Sequence, residues 1–407
     1  MKRLSCLLFF TLIVSCNNFD ATKSHIKDDV SFLAKDELNG RETGTEGEQK
    51  AAQFIAKRFK EIGLEPKGSS GFFQDFTFKQ SSDPHQEAKF AVKNEDGTIT
   101  GTNVIGFINN NAENTIVIGA HYDHLGYGGE GSLHRGEKAI HNGADDNASG
   151  VSVMLDLARK LKGNFTNNNY LFIAFSGEEK GLLGSNYFTK NATVDMGSVN
   201  YMINMDMVGR LKEDKSLAVH GVGSSPFFSQ TLMSNNSYFN VLKKESGVGP
   251  SDHTSFYLND VPGLHFFTGQ HEDYHKPSDD ANFLNYEGME AISGYIYTII
   301  SDLDDNGRLP FRKTKNESDE VPRFKVVLGV IPDYMFDGKG MRIDGISEDK
   351  AAQKAGLQKG DVVVKLGDSI VVDMMSYMRA LSSFEKGNTT KVTVDRNGQQ
   401  IEADIKF

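Results

Sequence analysis

The sequence predicts an α/β fold for residues 28–305, built on a mixed, mostly parallel sheet with helices on both faces. Two observations lead to it: helical and strand patterns alternate along this part of the chain, and the strand patterns are short apolar runs bounded by polar residues. Strands interleaved with helices form parallel sheets whose two faces are both covered. Residues 306–322 are polar, include two prolines and predict a linker, and a smaller unit occupies residues 323–407.

The predicted elements follow one another in a regular order. Residues 46–64 place apolar side chains at helical spacing and close on Gly63, which is typical of a helix C-terminus. Further helices are predicted at residues 149–162, 181–190 and 285–303. Strands are predicted at residues 114–121, 168–177 and 199–209.

Composition narrows the class of protein. The 407 residues are 38% hydrophobic and include 28 phenylalanines, which is enough for a sizeable core. The formal net charge is −11, and this argues against a nucleic-acid binder, which would normally show a basic face.

The N-terminus predicts a targeting segment. Lys2 and Arg3 precede an apolar stretch that is too short to span a membrane, and residues 1–15 therefore have the shape of a signal peptide. The stretch "IVSC" resembles a bacterial lipobox, which implies lipid attachment at Cys16, a flexible tether over residues 16–27 and a place on an extracytoplasmic membrane face, in the outer membrane or facing the periplasm. The alternative is an ordinary secretory signal in which Cys16 is incidental. Because no cysteine follows Cys16, the mature chain has neither a disulfide nor a thiolate metal site.

Histidines and carboxylates follow the predicted strands in series. They occur in the stretches "HYDHLG" (residues 121–126), "GADDNASG" (143–150), "SGEEKG" (176–181), "NMDMVG" (204–209) and "HEDYHKPSDD" (271–280). Functional groups collect at the carboxyl ends of strands in such sheets, so these side chains are expected to converge. A buried carboxylate cluster repels itself, and a divalent cation is the simplest compensation. Nitrogen and oxygen donors without thiolate indicate zinc.

These segments, in this order, resemble peptidase family M28, the aminopeptidase Y family of di-zinc exopeptidases. The resemblance covers about residues 28–305 and implies a three-layer α/β/α sandwich with two zinc ions per chain. It implies five metal ligands, with His121 and Asp206 on one zinc, Glu179 and His275 on the other and Asp146 bridging both.

The same resemblance implies roles for residues around the ligands. Glu178 matches the general base, Tyr274 matches a tyrosine that donates to the oxyanion, and Asp123 matches the acid that orients His121. It also implies a cis peptide bond between Asp146 and Asn147.

Other polar residues in these stretches keep two interpretations. His253 either supports the site or its pocket, or belongs to an acid–histidine pair with Asp252 that only caps a helix. Asp145 is expected to stabilise its loop. Four further histidines are expected to line the cleft or to lie on a glycine-rich loop rather than to bind metal: His124, His134, His141 and His271.

The C-terminal unit resembles a PDZ domain of the bacterial, protease-associated kind. The stretch "AGLQKGDVVVKLGD" (residues 355–368) carries most of the resemblance, with a helix predicted at residues 349–355 before it and a strand at 362–366 within it. Peptide binding by strand addition would use the backbone of Leu328, Gly329, Val330 and Ile331. The alternative is a packing module that shapes or shields the peptidase cleft.

The function expected from the resemblance is a zinc aminopeptidase that removes N-terminal residues from peptides with a free N-terminus, tethered to a membrane by lipid. Three alternatives stay open: a carboxypeptidase or dipeptidase on the same scaffold, a glutaminyl cyclase with one zinc, and an inactive binding ectodomain. A peptide or protein ligand of the PDZ unit is a further expected partner.

Overall fold

The computed structural model describes residues 24–80, 89–91, 96–129, 131–315, 325–333, 336, 338–347 and 350–407. The predicted signal peptide and Cys16 lie outside the described residues, so their assignment stays a prediction. No helix within these ranges combines the length and the apolar character needed to cross a membrane.

The N-terminal part of the chain forms a ten-stranded sheet. Its strands, in chain order, are β1 (Glu65–Pro66), β2 (Phe73–Lys79), β3 (Lys89–Phe90), β4 (Ile99–Ile108), β5 (Asn114–His121), β6 (Asn168–Phe175), β7 (Val199–Met205), β8 (Ser216–His220), β9 (Asn240–Lys243) and β10 (Gly263–Phe267). Across the sheet the order is β3-β2-β4-β6-β5-β7-β10-β8-β9, and β1 pairs with β4.

Helices cover both faces of this sheet. Their bounds are α1 (Ile26–Leu33), α2 (Glu46–Ile62), α3 (Gly150–Leu161), α4 (Leu183–Lys190), α5 (Phe228–Ser234), α6 (His253–Tyr257) and α7 (Tyr286–Leu303). Alternate residues of β5 enter different cores, since Ile116 and Ile118 pack in the core that contains α1, α2, α3 and α7, whereas Val117 packs in the core that contains Phe188 of α4 and Phe256 of α6. The three-layer α/β/α sandwich is therefore confirmed.

Parallel pairing is concentrated at the centre of the sheet. β5 runs parallel to both β6 and β7, and β7 runs parallel to β10. β4 on one side and β8 on the other join this centre antiparallel. The sheet is mixed, and the carboxyl ends of its four central parallel strands lie at one edge.

A second, six-stranded sheet forms near the C-terminus. Its elements are β11 (Val330–Pro332), β12 (Met341–Ile346), α8 (Ala351–Lys354), β13 (Val362–Leu366), β14 (Ser369–Ile370), α9 (Met374–Ser382), β15 (Thr389–Arg396) and β16 (Gln399–Lys406). Neighbouring strands in the order β11-β12-β13-β15-β16 are antiparallel, and β14 pairs with β13. This unit has its own core, which includes Leu328, Val363 and Tyr377.

Candidate active site

The predicted site residues come together at the carboxyl edge of the central strands. His121 is the last residue of β5, Glu178 and Glu179 lie three and four residues after β6, and Asp206 follows β7 directly. Asp146 lies in the irregular helical turn Ala144–Ser149 that precedes α3. The sheet register therefore gathers residues that are far apart in sequence.

His121 is the centre of one donor group. Its Nε2 atom lies 3.3 Å from Asp206 Oδ1 and 3.2 Å from Asp146 Oδ1. Glu178 Oε2 is 4.0 Å from the same nitrogen. His121, Glu178 and Asp206 each have a donor atom within 4.8 Å of the others, which is close enough for one metal ion.

A second donor group surrounds Glu179. Its Oε2 lies 3.3 Å from His275 Nε2, and its Oε1 lies 2.7 Å from His124 Nδ1. His124, Asp146 and Glu179 also have donor atoms within 4.8 Å of one another. His124 was expected to lie outside the ligand set, and the structure places it in direct contact with a predicted ligand.

Asp146 joins the two groups. Its Oδ1 faces His121 Nε2, whereas its Oδ2 lies 3.2 Å from His275 Nε2. Each oxygen of one carboxylate therefore faces a different ring. The Asp146–Asn147 peptide bond is cis, as predicted.

Glu178 and Glu179 are neighbours whose side chains diverge. Glu178 points toward His121 and Glu179 toward His275 and His124. The turn after β6 is held by the backbone N–H of Glu178, which donates to Asp123 Oδ1 over 3.2 Å. These two adjacent residues therefore contribute to different donor groups, Glu178 to the group around His121 and Glu179 to the group that includes His275.

Asp123 contacts His121 mainly through its backbone. The His121 Nδ1 atom lies 3.2 Å from the Asp123 carbonyl oxygen and 3.7 Å from Asp123 Oδ1. The carboxylate itself accepts hydrogen bonds from Glu178 N–H and, over 2.9 Å, from the Thr43 hydroxyl. Asp123 is placed to orient His121, but its carbonyl is nearer to the ring than the carboxylate that the resemblance implies.

The acids and rings perturb one another strongly. Burial raises the pKa of Glu178 well above its usual value; His121 opposes that rise, and the carboxylates of Asp206 and Glu179 add to it. Burial opposes protonation of His275, but Glu179 and Asp146 outweigh it and raise the pKa of that ring to about 11. The cluster therefore attracts positive charge.

The donor set fits divalent zinc. Four carboxylates and three imidazoles meet at this edge without any thiolate, and nitrogen and oxygen donors in an open cluster are the ligands of catalytic zinc. The Nε2 atom of His124 is buried and has no hydrogen-bond partner among the described residues, so this ring has a second nitrogen that the protein does not use. Asp206, Asp146, Glu179 and the two rings His121 and His275 are the residues that would hold the ions.

Tyr274 lies beside the second group. Its ring stacks on His275 with the ring centroids 3.8 Å apart. Burial, together with the carboxylates of Asp146 and Glu179, raises the pKa of the Tyr274 hydroxyl well above its usual value, which keeps it a hydrogen-bond donor.

The remaining histidines of the predicted stretches bond to other parts of the protein. His271 Nε2 lies 3.1 Å from Asp145 Oδ2, and Asp145 Oδ1 accepts from Gly209 N–H. The His141 ring contacts the Ser132 hydroxyl over 2.8 Å, and the partly exposed His134 ring contacts the Glu137 carbonyl over 3.1 Å.

His253 is buried at the start of α6, beneath the site. Asp252 precedes the helix but makes no capping hydrogen bond, so the capping interpretation has no support. Both ring nitrogens of His253 and both carboxylate oxygens of Asp252 are buried without a partner among the described residues. His253 stacks on His265 with the ring centroids 4.5 Å apart.

Arg41 is a buried cation that sequence reasoning missed. Within the described part of the chain its guanidinium donates only to backbone carbonyls, including Tyr122 at 2.8 Å, Asn142 at 2.6 Å and Gly143 at 3.1 Å. Tyr122 follows His121, and Gly143 precedes the turn that carries Asp146. Arg41 therefore ties together the two segments that carry these predicted ligands.

Two acids support the same segments. Asp279 accepts from the backbone N–H groups of Asp145 and Asp146, at 2.9 and 3.0 Å. Glu48 accepts from the hydroxyls of Tyr122 at 3.2 Å and Ser176 at 2.5 Å. In the sequence, Asp279 is the first acid of "PSDD" and Glu48 is the last acid of "GTEGE". Neither stretch follows a predicted strand, so the sequence did not mark these two acids as part of the site.

The predicted peptide-binding segment lies at the edge of the second sheet. Leu328 is buried in the core of this unit and Gly329 has a φ of +83°. Val330 and Ile331 begin β11, which pairs on one side with β12 and ends the sheet order. The predicted strand over residues 362–366 is confirmed as β13, and α8 lies within the helix predicted before it.

Comparison with known proteins agrees with this architecture. Residues 103–300 match the profile of peptidase family M28, and residues 311–407 match the profile of the PDZ domain. Aminopeptidase YwaD from Bacillus subtilis is 32% identical over 161 residues, which is 36% of this chain and 35% of that relative. The chain thus spans about a third of the length of this curated relative.

Solved structures share the fold of the first unit. The zinc aminopeptidase BSAP from Bacillus subtilis has a TM-score of 0.53 at 19% identity, over 72% of this chain and 96% of that chain. Porphyromonas gingivalis glutaminyl cyclase has a TM-score of 0.52 at 18% identity, over 68% of this chain and 98% of that chain. The chain therefore contains a peptidase M28 domain over residues 103–300 and a PDZ domain over residues 311–407.

Proposed function

We propose that the protein is a di-zinc aminopeptidase that hydrolyses the first peptide bond of peptides with a free N-terminus. The observation that carries the proposal is the position of Asp146, whose two oxygens face His121 and His275 respectively. A carboxylate shared in this way suits two ions, one held with His121 and Asp206 and the other with Glu179 and His275.

The residues around these ligands suit amide hydrolysis. Bound zinc supplies Lewis acidity toward a carbonyl oxygen and toward water. The Glu178 carboxylate accepts a proton from the attacking water and returns it to the leaving amine, so that water and peptide become an amino acid and a shortened peptide. The Tyr274 hydroxyl donates a hydrogen bond to the carbonyl oxygen as negative charge develops there.

Glu178→Gln tests the assignment of the base. The amide keeps the size of the side chain but does not accept the proton, so kcat is expected to fall by about 10²–10⁴-fold while zinc content stays at the wild-type level. Zinc is measured by mass spectrometry and turnover with aminoacyl anilides. Glu272→Gln, at an exposed position, is the matched control. A Glu178→Gln enzyme with wild-type kcat would show that another group takes the proton.

A small substrate panel separates the alternatives. Free and N-acetylated forms of one peptide distinguish an aminopeptidase from a carboxypeptidase, because only the aminopeptidase needs the free amine. Release of ammonia from a peptide that begins with glutamine would indicate a glutaminyl cyclase. A zinc-loaded protein that leaves every peptide intact would favour a binding ectodomain.

The PDZ domain is proposed to bind peptides by strand addition to β11, since this strand forms an edge of its sheet. We further propose that the chain is anchored in an extracytoplasmic membrane through Cys16. Cys16→Ser should move the protein from the membrane fraction to the soluble fraction with its peptidase activity intact. Continued sedimentation with membranes would contradict the lipid anchor.

A further inference from the structure

A row of polar side chains crosses the sheet next to the candidate site. Asn204 of β7 pairs with His265 of β10, and His265 pairs with His220 of β8. Side chains of paired residues lie on the same face of a sheet, so these three form one row. We call Asn204, His265 and His220 the histidine row.

The row lies on the same face as the metal ligands. Gly119 of β5 pairs with Asn204, and His121 lies two residues beyond Gly119. Asp206 lies two residues beyond Asn204 and continues the pairing, since its N–H donates to the Phe266 carbonyl over 3.2 Å. Residues two apart on a strand point to the same side about 6.6 Å apart, so the row is one step along the sheet from the ligands.

Much of the row's hydrogen-bonding capacity is unused. His220 Nε2 and Asn204 Oδ1 are buried without a partner among the described residues, as are both ring nitrogens of His253, which covers His265. Buried polar atoms nearly always have partners, so several unpaired atoms in one place indicate a ligand. His220 and Phe267, the residue two beyond His265, are partly exposed, so this end of the row lies nearest to solvent.

A metal ion does not suit this place. The rings of His253 and His265 are parallel to within 5° and stacked. The lone pairs of an imidazole lie in the plane of the ring, so two stacked rings do not point at a common ion.

We propose that the histidine row binds the side chain of the substrate's first residue and selects asparagine and glutamine. This inference rests on the proposed aminopeptidase function and names the substrate class for the same site. A neutral imidazole offers one donor and one acceptor, and Asn204 Oδ1 adds an acceptor, because the Asn204 NH2 group already donates to Ser251 Oγ over 2.9 Å and to His265 Nδ1 over 3.1 Å. An amide side chain satisfies donors and acceptors together without bringing a charge, and it does so with separate N–H and carbonyl groups.

The electrostatics of the row agree with an uncharged partner. Burial lowers the pKa of His253 to about 3 and, together with Lys244, that of His220 to about 4. Burial also lowers the pKa of His265 well below its usual value, so the three rings are neutral at pH 7. A carboxylate or an ammonium would lose its hydration here without an opposite charge.

The test uses zinc-loaded wild-type protein and a series of peptides X-Ala-Ala that differ only in the first residue, X. Glutamine is matched in size by methionine and by glutamate, and leucine represents a branched apolar residue. The expected result is a kcat/KM for glutamine and asparagine at least about tenfold above those for methionine, leucine and glutamate, measured by mass spectrometry of the released Ala-Ala.

Two variants connect this preference to the row. His220→Leu and His265→Met should each lower the ratio of kcat/KM for glutamine to kcat/KM for methionine by at least about tenfold. His25→Asn, at the N-terminus of α1, is the control and should keep the wild-type preference. His220 is partly exposed, so His220→Leu is the variant expected to fold if His265→Met does not.

The outcomes separate the two proposals. Faster release of leucine, methionine or glutamate than of glutamine by the wild type would overturn the inference and leave the aminopeptidase function standing. An unchanged preference in a folded His220→Leu protein would also overturn it. If the wild type removes no first residue from any peptide of the panel, the proposed function is wrong and the inference fails with it.

Discussion

The two donor groups of the site are built in different ways. The His121–Asp206 pair lies at strand ends, and the His121 side chain is 1% exposed. The Glu179–His275 pair depends on loops: His275 lies eight residues after β10, has a φ of +55° and is 12% exposed. Its Nδ1 contacts the carbonyl of Gly131 over 2.8 Å, in the glycine-rich loop. Sheet register thus positions one pair, whereas packing of a loop positions the other.

The largest expected effect comes from removing a ligand of the loop-borne pair. His275→Ala should weaken one zinc site by at least about 100-fold and leave about one zinc per chain after dialysis. The zinc-free protein should also lose stability, because the raised pKa of His275 shows that its protonated ring offsets the charges of Glu179 and Asp146. His134→Ala, on a partly exposed ring nearby, is the matched control. Retention of two zinc ions by His275→Ala would show that the loop-borne His275 is not needed to hold the second ion. His124 would then be the ligand to examine.

Glu48 supports the segments that carry the strand-borne pair, so a substitution there tests how that support contributes to stability. Burial raises the pKa of Glu48 from 4.5 to about 7, against hydrogen bonds from Ser176 and from the N–H of Gly44. Between these two pKa values the folded protein keeps a proton that the unfolded chain has released. The free energy of unfolding therefore falls as the pH rises from 4.5 to about 7. Glu48→Gln removes that dependence, which amounts to about 3 kcal/mol at most.

The measurement is urea denaturation of zinc-free wild type and Glu48→Gln at pH 5 and pH 7.5. The free energy of unfolding of the wild type should fall more over this interval than that of the variant. Glu113→Gln, at an exposed position, should keep the wild-type slope. Equal slopes for wild type and Glu48→Gln would show that this carboxyl does not titrate in the folded state between these pH values.

The smallest effect is expected for Asp123→Asn. The His121 ring lies nearer to the Asp123 carbonyl than to its carboxylate, and the substitution keeps that carbonyl. Zinc affinity should therefore fall by about tenfold, at the low end for a residue that orients a metal-bound histidine. Competition with a fluorescent chelator measures the change. A loss beyond 100-fold would mean that the carboxylate is the main partner of His121.

Three of the four central parallel strands, and the convergence of the residues after them, were predictable from sequence, whereas β10 and the surroundings were not. β5, β6 and β7 are continuous apolar runs because both of their faces are buried, and the residues after them carry the site. β2, with its mixture of buried and exposed residues, lacks such a run. Arg41 escaped notice because a charged residue in a loop normally faces water, and only the fold shows that it is buried against carbonyls.

His124 shows a second limit. It lies in the same stretch as His121 and three residues after it, and sequence spacing does not show which of two nearby rings faces a carboxylate. The histidine row was also hidden, since His220 and His265 come from separate strands that only pairing brings together. Alternation along one strand predicts which face of the sheet a side chain lies on. It does not predict which side chains are neighbours on the adjacent strands, because that depends on strand order.

Strand β11 has a consequence for solubility. An open sheet edge is a place where copies of a protein pair and aggregate, and natural proteins limit this with short strands and prolines. β11 has three residues and ends at Pro332, which has no N–H to donate. The edge is long enough for a few residues of a peptide and too short for a continuous sheet between molecules. The brevity of β11 therefore limits association between molecules at this edge and would restrict the proposed peptide ligand to a few paired residues.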